Sequence, residues 1–137
     1  GEVIISKSKF KKNRKSFPAI ALTTDTSILT SLSNDYTFDM VFSRQCESLV
    51  SQGDVVIGIS TSGNSKNIIN AYEYAKQTGA TCIGFTGNDG GKMKECCDIC
   101  LQIPSDDMLT IESQHLVVCH CIINLIRSLG NPMFEYK

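Results

Sequence analysis

A chain of 137 residues with 42% hydrophobic and 20% charged residues can bury a core without disulfides or metals. Its net charge of −1 excludes the broad basic field of a general nucleic-acid binder. No uninterrupted apolar run reaches the roughly 18 residues that cross a bilayer, and Val3-Ile4-Ile5 precedes a basic cluster, against the signal-peptide order, so no membrane association and a cytoplasmic location are expected.

In chain order, the first feature is basic. Lys7, Lys9, Lys11, Lys12, Arg14 and Lys15 make residues 1–16 a charged segment. It reads as a solvated arm, with steering of nucleic acid or phosphate as the alternative. Ala19-Ile20-Ala21-Leu22 is an apolar run closed by Thr23, Thr24 and Asp25, and predicts a first strand. Residues 38–50 carry Met40, Val41, Cys46, Leu49 and Val50 and predict a helix. Val55-Val56-Ile57-Gly58-Ile59 predicts a second strand. Residues 65–77 place Ile68, Ile69, Ala71, Tyr72 and Ala75 at spacings of three and four, a helical stripe that Gly79 stops.

Cys82-Ile83-Gly84-Phe85 predicts a third strand and runs into the turn Thr86-Gly87-Asn88-Asp89-Gly90-Gly91-Lys92. That turn matches no dinucleotide or P-loop spacing and reads as a βα connection with Asp89 as a cap, although its glycines would also let a ligand approach the backbone. Residues 91–97 predict a short helix, and Ile99-Cys100-Leu101-Gln102-Ile103 a fourth strand. Cys97 and Cys100 have CxxC spacing, but there is no second ligand pair. All seven cysteines therefore read as reduced thiols, mostly packed as small apolar residues. Residues 108–129 predict a long helix, apolar on more than one face, stopped by Gly130-Asn131-Pro132. Such a helix is deeply buried or shared with a partner subunit.

Strands alternating with helices predict a single α/β domain, an open, doubly wound parallel sheet flanked by helices in a flavodoxin-like three-layer sandwich. Ligands bind such sheets beyond the carboxyl ends of the strands. The loop there, Ser60-Thr61-Ser62-Gly63-Asn64-Ser65, concentrates hydroxyls on Ser60, Thr61, Ser62 and Ser65 at a helix N-terminus. Hydroxyls, free amides and the positive end of a helix dipole make an anion site that needs no arginine. The bland alternative is a plain N-cap.

The string Gly58-Ile59-Ser60-Thr61-Ser62-Gly63-Asn64-Ser65 closely resembles the phosphosugar-binding signature of SIS (sugar isomerase) domains. The resemblance extends over about residues 17–129. Pro18-Ala19-Ile20-Ala21-Leu22-Thr23-Thr24-Asp25, Asn34-Asp35-Tyr36, Val41-Phe42-Ser43-Arg44-Gln45 and Pro104-Ser105-Asp106-Asp107 stand in the order of the sedoheptulose-7-phosphate isomerase (phosphoheptose isomerase) subfamily. It implies ketose–aldose interconversion of a heptose phosphate on a cytoplasmic homotetramer, feeding surface polysaccharide synthesis. It also implies phosphate contacts from Ser60, Thr61, Ser62 and Ser65, a sugar contact from Asp35, and His120 as an acid/base group. Glu112 stands where the family has glutamine, a departure that bears on the sugar contact. The family's upstream strand, Gly-Asn-Gly-Gly-Ser loop and metal-associated histidine are not in this sequence, which therefore reads as N-terminally truncated. Glu2 takes the place of the family's catalytic glutamate.

Isomerisation through an enediol needs a base for the carbon-bound proton and an acid for the carbonyl oxygen. Glu112 and His120 share one expected helix, about 12 Å apart along its axis and about 80° apart around it, so their side chains could bracket a ligand. No cofactor is required; Glu112 and His120 are also candidate zinc ligands. His115, three residues from Glu112, reads as its helix-surface ion-pair partner. Two other readings stay open: a non-catalytic phosphosugar sensor (a regulator or replication-initiator-associating protein), and an isomerase of another sugar phosphate.

Overall fold

A computed structural model describes residues 18–128. Contacts divide the chain into two compact units, one of residues 22–115 and one whose described residues are 18–21 and 116–128. The first unit opens with α1 (Thr26–Asp35), a single 3-10 turn (Phe38–Met40) and α2 (Ser43–Leu49). Then come β1 (Val55–Ile59), α3 (Lys66–Thr78), β2 (Thr81–Gly87), α4 (Met93–Cys96) and β3 (Ile99–Ile103). It ends in the first turns of α5 (Met108–Ser128).

The strands form a parallel sheet in the order β1-β2-β3, with Ile57 opposite Ile83 and Ile83 opposite Ile99. Right-handed crossovers that step in one direction place their helices on one face. That face presents Val56, Gly58, Cys82 and Gly84 to α3 and α4, and its core is Tyr72, Ala75, Ala80, Cys82 and Met93. The other face meets α5 at the end of β2, through Phe85, Ile111 and His115. The parallel sheet is thus flanked by helices as expected. On this second face Val55, Ile57, Ile59 and Ile99 are each more than half exposed.

Local signals set the helix ends. Asp25 Oδ1 accepts the Ile28 N–H at 3.0 Å and caps α1. At the other end of α3, Gly79 adopts φ 88°, and the Ala80 N–H returns to Ala75 O at 3.0 Å, a Schellman closure. Asp107 Oδ2 accepts the Thr110 N–H at 2.8 Å at the start of α5.

Two expectations are corrected and one element is added. Residues 19–22 are not a strand: residues 19–21 are exposed, and the Leu22 carbonyl accepts the Gln45 Nε2–H at 3.1 Å. A four-residue apolar run becomes a strand only if a ladder receives it, and among the described residues β1 pairs with β2 alone. The helix expected over 38–50 is split, its first part closing as a 3-10 turn before α2. Helix α1 had no counterpart in the sequence reading, because its apolar residues are few, Ile28, Leu29 and Leu32 among Ser and Thr, and it buries no residue fully. Glu2, the basic segment and the stop at Gly130-Asn131-Pro132 lie outside the described residues.

In the second unit α5 runs on through Ser128, and Leu116, Val117, Ile122, Ile123, Leu125 and Ile126 are each at least a third exposed. Residues Met108–Ile126 have the length and composition of a bilayer-crossing helix, contrary to the expectation drawn from uninterrupted runs. Isolated polar residues such as Glu112 and His120 break the run without lowering its mean below that of a span.

Tyr72 ties the core to the sheet. Its fully buried hydroxyl donates to Ile83 O at 2.6 Å and accepts the Gly58 N–H at 2.9 Å. Burial pushes the phenol above its ordinary range. A Cβ at Gly58 would stand 2.5 Å from this oxygen and from Ile68 Cγ2. Tyr72→Phe removes both of these bonds from a buried position, so urea unfolding should show a loss of about 1–3 kcal/mol; a change under about 0.5 kcal/mol would contradict the role given to the hydroxyl.

Asp98 joins the other ends of β2 and β3. Its Oδ2 accepts the Cys82 N–H at 2.7 Å, and its Oδ1 lies 3.5 Å from Lys76 Nζ. The Cys82 N–H, more than Lys76, holds this carboxyl below its ordinary value of 3.8. A lowered folded value means stability present above 3.8 and lost as pH falls through the folded value. Asp98→Asn should therefore lower Tm at neutral pH and flatten its fall below about pH 4; an acid limb as steep as the parent's would exclude Asp98 as a contributor.

Candidate phosphate-binding site

The residues between Ile59 and Lys66 form the loop at the carboxyl end of β1. Its first half is a turn in which the Gly63 N–H donates to Ser60 O at 3.0 Å, with Gly63 at φ 65°. Two bonds hold this turn to the end of β2. The Ser60 N–H donates to Phe85 O at 3.0 Å, and the Gly87 N–H to Thr61 O at 2.9 Å. The Ser60 and Ser65 hydroxyls lie 2.9 Å apart, so Ser65, at the N-cap of α3, does not cap its own helix. The first-turn amides of α3 are left without a side-chain cap, at the positive end of the helix dipole. Ser62 is exposed, and its Oγ accepts the Asn64 N–H at 3.3 Å.

The glycine-rich turn after β2 is the second wall of this loop. The Met93 N–H donates to Gly63 O at 2.9 Å. Asn64 bridges the two loops, its Nδ2 donating to Ser62 O at 2.8 Å while its Oδ1 accepts the Lys92 N–H at 3.2 Å. A Cβ at Gly63 would overlap the Gly90 carbonyl, and one at Gly91 would come within 2.5 Å of Ser62 O. Asp89 Oδ1 accepts the Gly91 N–H at 3.0 Å, which shapes the turn from inside. These glycines are thus spent on loop-to-loop packing, where sequence reading allowed only a βα connection or a ligand approach.

His115 is also placed differently from expectation. It is buried, not paired with Glu112 on the helix surface, and its Nε2 lies 3.0 Å from Thr86 O. A carbonyl can only accept, so Nε2 carries the proton. Nδ1 is buried without a partner among the described residues, and the ring centroid is 5.7 Å from that of Phe85. The signal in the sequence was its i+4 spacing from buried Ile111, which outranks the i+3 spacing from Glu112.

The remaining site residues are spread out. The cradle residues Ser60, Thr61, Ser62 and Ser65 share one loop. Asp35, the last residue of α1, is exposed and accepts a hydrogen bond from Asn34 Nδ2 at 2.9 Å. Glu112 and His120 both fall on α5 and both are exposed. They supply two donors where a zinc site takes about three or four protein ligands. Among the described residues no group of three or more His, Cys, Asp or Glu is gathered, so these residues alone do not fit a zinc site. Burial pushes the Cys82 thiol up to about 11 and raises Cys46, in line with packed, unreactive thiols.

Residues 6–87 match the family model of the SIS domain. Phosphoheptose isomerase of Burkholderia pseudomallei (strain K96243) is 52% identical over 119 residues, which are 87% of this chain and 60% of that protein. The phosphoheptose isomerase of Aliarcobacter butzleri (strain RM4018) is 53% identical over 118 residues, 86% of this chain and 62% of that protein. Among solved structures, phosphoheptose isomerase from Neisseria gonorrhoeae is similar at TM-score 0.78 and 44% identity, over 80% of this chain and 61% of that one. One from Francisella tularensis is similar at TM-score 0.82 and 36% identity, over 86% and 63%. The chain spans about 60% of the length of the curated relatives it matches. Matched over more than half its length, the serine-rich loop included, the chain belongs to the SIS domain family.

Proposed function

We propose that this chain acts in a phosphoheptose isomerase, interconverting sedoheptulose 7-phosphate and a glycero-manno-heptose 7-phosphate. The observation that carries the proposal is the braced loop of residues 60–65, whose hydroxyls and uncapped helix start suit a phosphomonoester. The heptose comes from the names of relatives about 52% identical. In this reading Ser60, Thr61, Ser62 and Ser65 hold the phosphate, and Asp35 and Glu112 contact the sugar. His120 moves a proton in the enediol step, an imidazole being able both to give and to take one near neutral pH. Glu2 is the second acid/base group. The exposed apolar side chains of α5 are where subunits of a homotetramer would meet. A cytoplasmic location and a role in surface-polysaccharide synthesis belong to the same proposal, and zinc is not required by it.

A second reading is a non-catalytic phosphosugar sensor, which needs the loop of residues 60–65 but no acid/base pair.

Two measurements test these readings. Ser62→Ala combined with Ser65→Ala should weaken sugar-phosphate binding by about 1–3 kcal/mol, the range for hydrogen bonds to charged groups; parental affinity by calorimetry in the folded double variant would refute the cradle. His120→Asn, in the protein encoded by the full reading frame, should slow conversion of sedoheptulose 7-phosphate by roughly 10²–10⁴-fold while binding persists. Turnover at the parental rate would remove His120 from the mechanism, and no turnover by the parent would favour the sensor.

A further inference from the structure

We propose that His115 is a positioning residue of the phosphate site, orienting the Ser62 amide toward the anion through two linked peptide groups. The inference rests on the phosphate reading of the loop and adds to it a residue outside that loop.

The chain of contacts is short. His115 Nε2–H donates to Thr86 O at 3.0 Å. The Thr86 carbonyl and the Gly87 N–H belong to one planar peptide group and point in opposite directions. That Gly87 N–H donates to Thr61 O at 2.9 Å. The Thr61 carbonyl in turn shares a planar peptide with the Ser62 N–H, which therefore points away from Gly87. Ser62 is exposed, and its N–H meets no backbone acceptor among the described residues. One imidazole thus grips a peptide whose other end grips the cradle, and the last amide of the series is left facing outward. Hydrogen bonds in series polarise one another, so the same bonds that orient the Ser62 N–H make it a better donor.

Packing allows little slack in this chain. Thr86 is fully buried. A Cβ at Gly87 would overlap Ile111 and come within 3.0 Å of Thr61 O, so helix, strand end and cradle are in direct contact there. A histidine is also a costly way to fill this space. Its Nδ1 is buried without a partner, and an unsatisfied buried nitrogen costs about 1–3 kcal/mol. A phenylalanine would pack against Phe85 without that cost. What it lacks is the Nε2 donor, the one feature of His115 that reaches the cradle.

The test compares His115→Phe, which keeps a ring and removes the donor, with His115→Gln, whose amide nitrogen reaches about as far as Nε2. Inorganic phosphate is the probe, titrated by calorimetry and by the 15N–1H resonance of Ser62. The expected result is a Kd raised about three- to tenfold in His115→Phe, the loss of roughly one hydrogen bond, with a smaller Ser62 shift at saturation and substantial recovery in His115→Gln. A merely structural role would lower Tm in His115→Phe and leave Kd at the parental value, and that result overturns the proposal. If His115→Phe does not fold, the parental protein decides. Saturating phosphate should move the His115 Nε2 resonance, and an unmoved resonance overturns the proposal equally. Absence of phosphate binding by the parent would instead refute the phosphate reading on which this one stands.

Discussion

The contact on which the site depends is backbone against backbone. The chain at Gly63 lies so close to the carbonyl of Gly90 that no side chain fits between them, and Gly91 sits nearly as close to Ser62. Two loops that follow neighbouring parallel strands are thereby locked into one body, with Asn64 as the bolt. The shape of the first loop follows from this lock. It fixes the turn from Ser60 to Gly63, directs the Thr61 carbonyl to Gly87, and leaves the first-turn amides of α3 without a side-chain cap. Preorganised dipoles of this kind lose little entropy when an anion arrives, because their directions are already set.

The sheet supplies the frame for that lock. Consecutive strands β1, β2 and β3 lie side by side, so the loops after β1 and β2 emerge next to one another at the same end. Gly58 and Gly84 bring α3 and α4 down onto the strands, Tyr72 filling the space over the first and Met93 with Cys97 the space over the second. The depth of this packing sets the height at which α3 starts, and with it the position of the helix dipole relative to the loop. Glycine therefore acts twice in the chain, in the strands to admit helices and in the loops to admit each other.

Much of this could be read from the sequence, for reasons that differ by element. The strands of the sheet were legible because each apolar run is bounded by turn formers, and α3 because its stripe ends at Gly79. The loop of residues 60–65 was legible as a βα connection because its short polar residues are contiguous between an apolar run and a helical stripe. Residues 19–22 misled because an apolar run records the wish to be buried and carries no information on whether a ladder is available. Helix α1 was invisible because nothing in it is buried. The brace between the two loops was beyond reach for a different reason, since Asn64 and Lys92 are 28 residues apart and neither shows its partner in its own neighbourhood. His115 shows how a local rule can win wrongly: three residues from a carboxylate, it looked like a surface ion pair, yet its ring lies on the buried side with Ile111.

The face of the sheet turned away from α3 has a consequence for how the chain behaves outside its native partnerships. Val55, Ile57 and Ile59 project from β1 and Ile99 from β3, all β-branched and all more than half exposed, and β1 is an edge strand among the described residues. An uncharged, β-prone stretch at a sheet edge is a template for unwanted strand addition. Asp54 stands immediately before it and Gly58 interrupts it, the two features in reach that resist such growth. Colloidal behaviour of this polypeptide thus depends on the face of the sheet that α5 also meets.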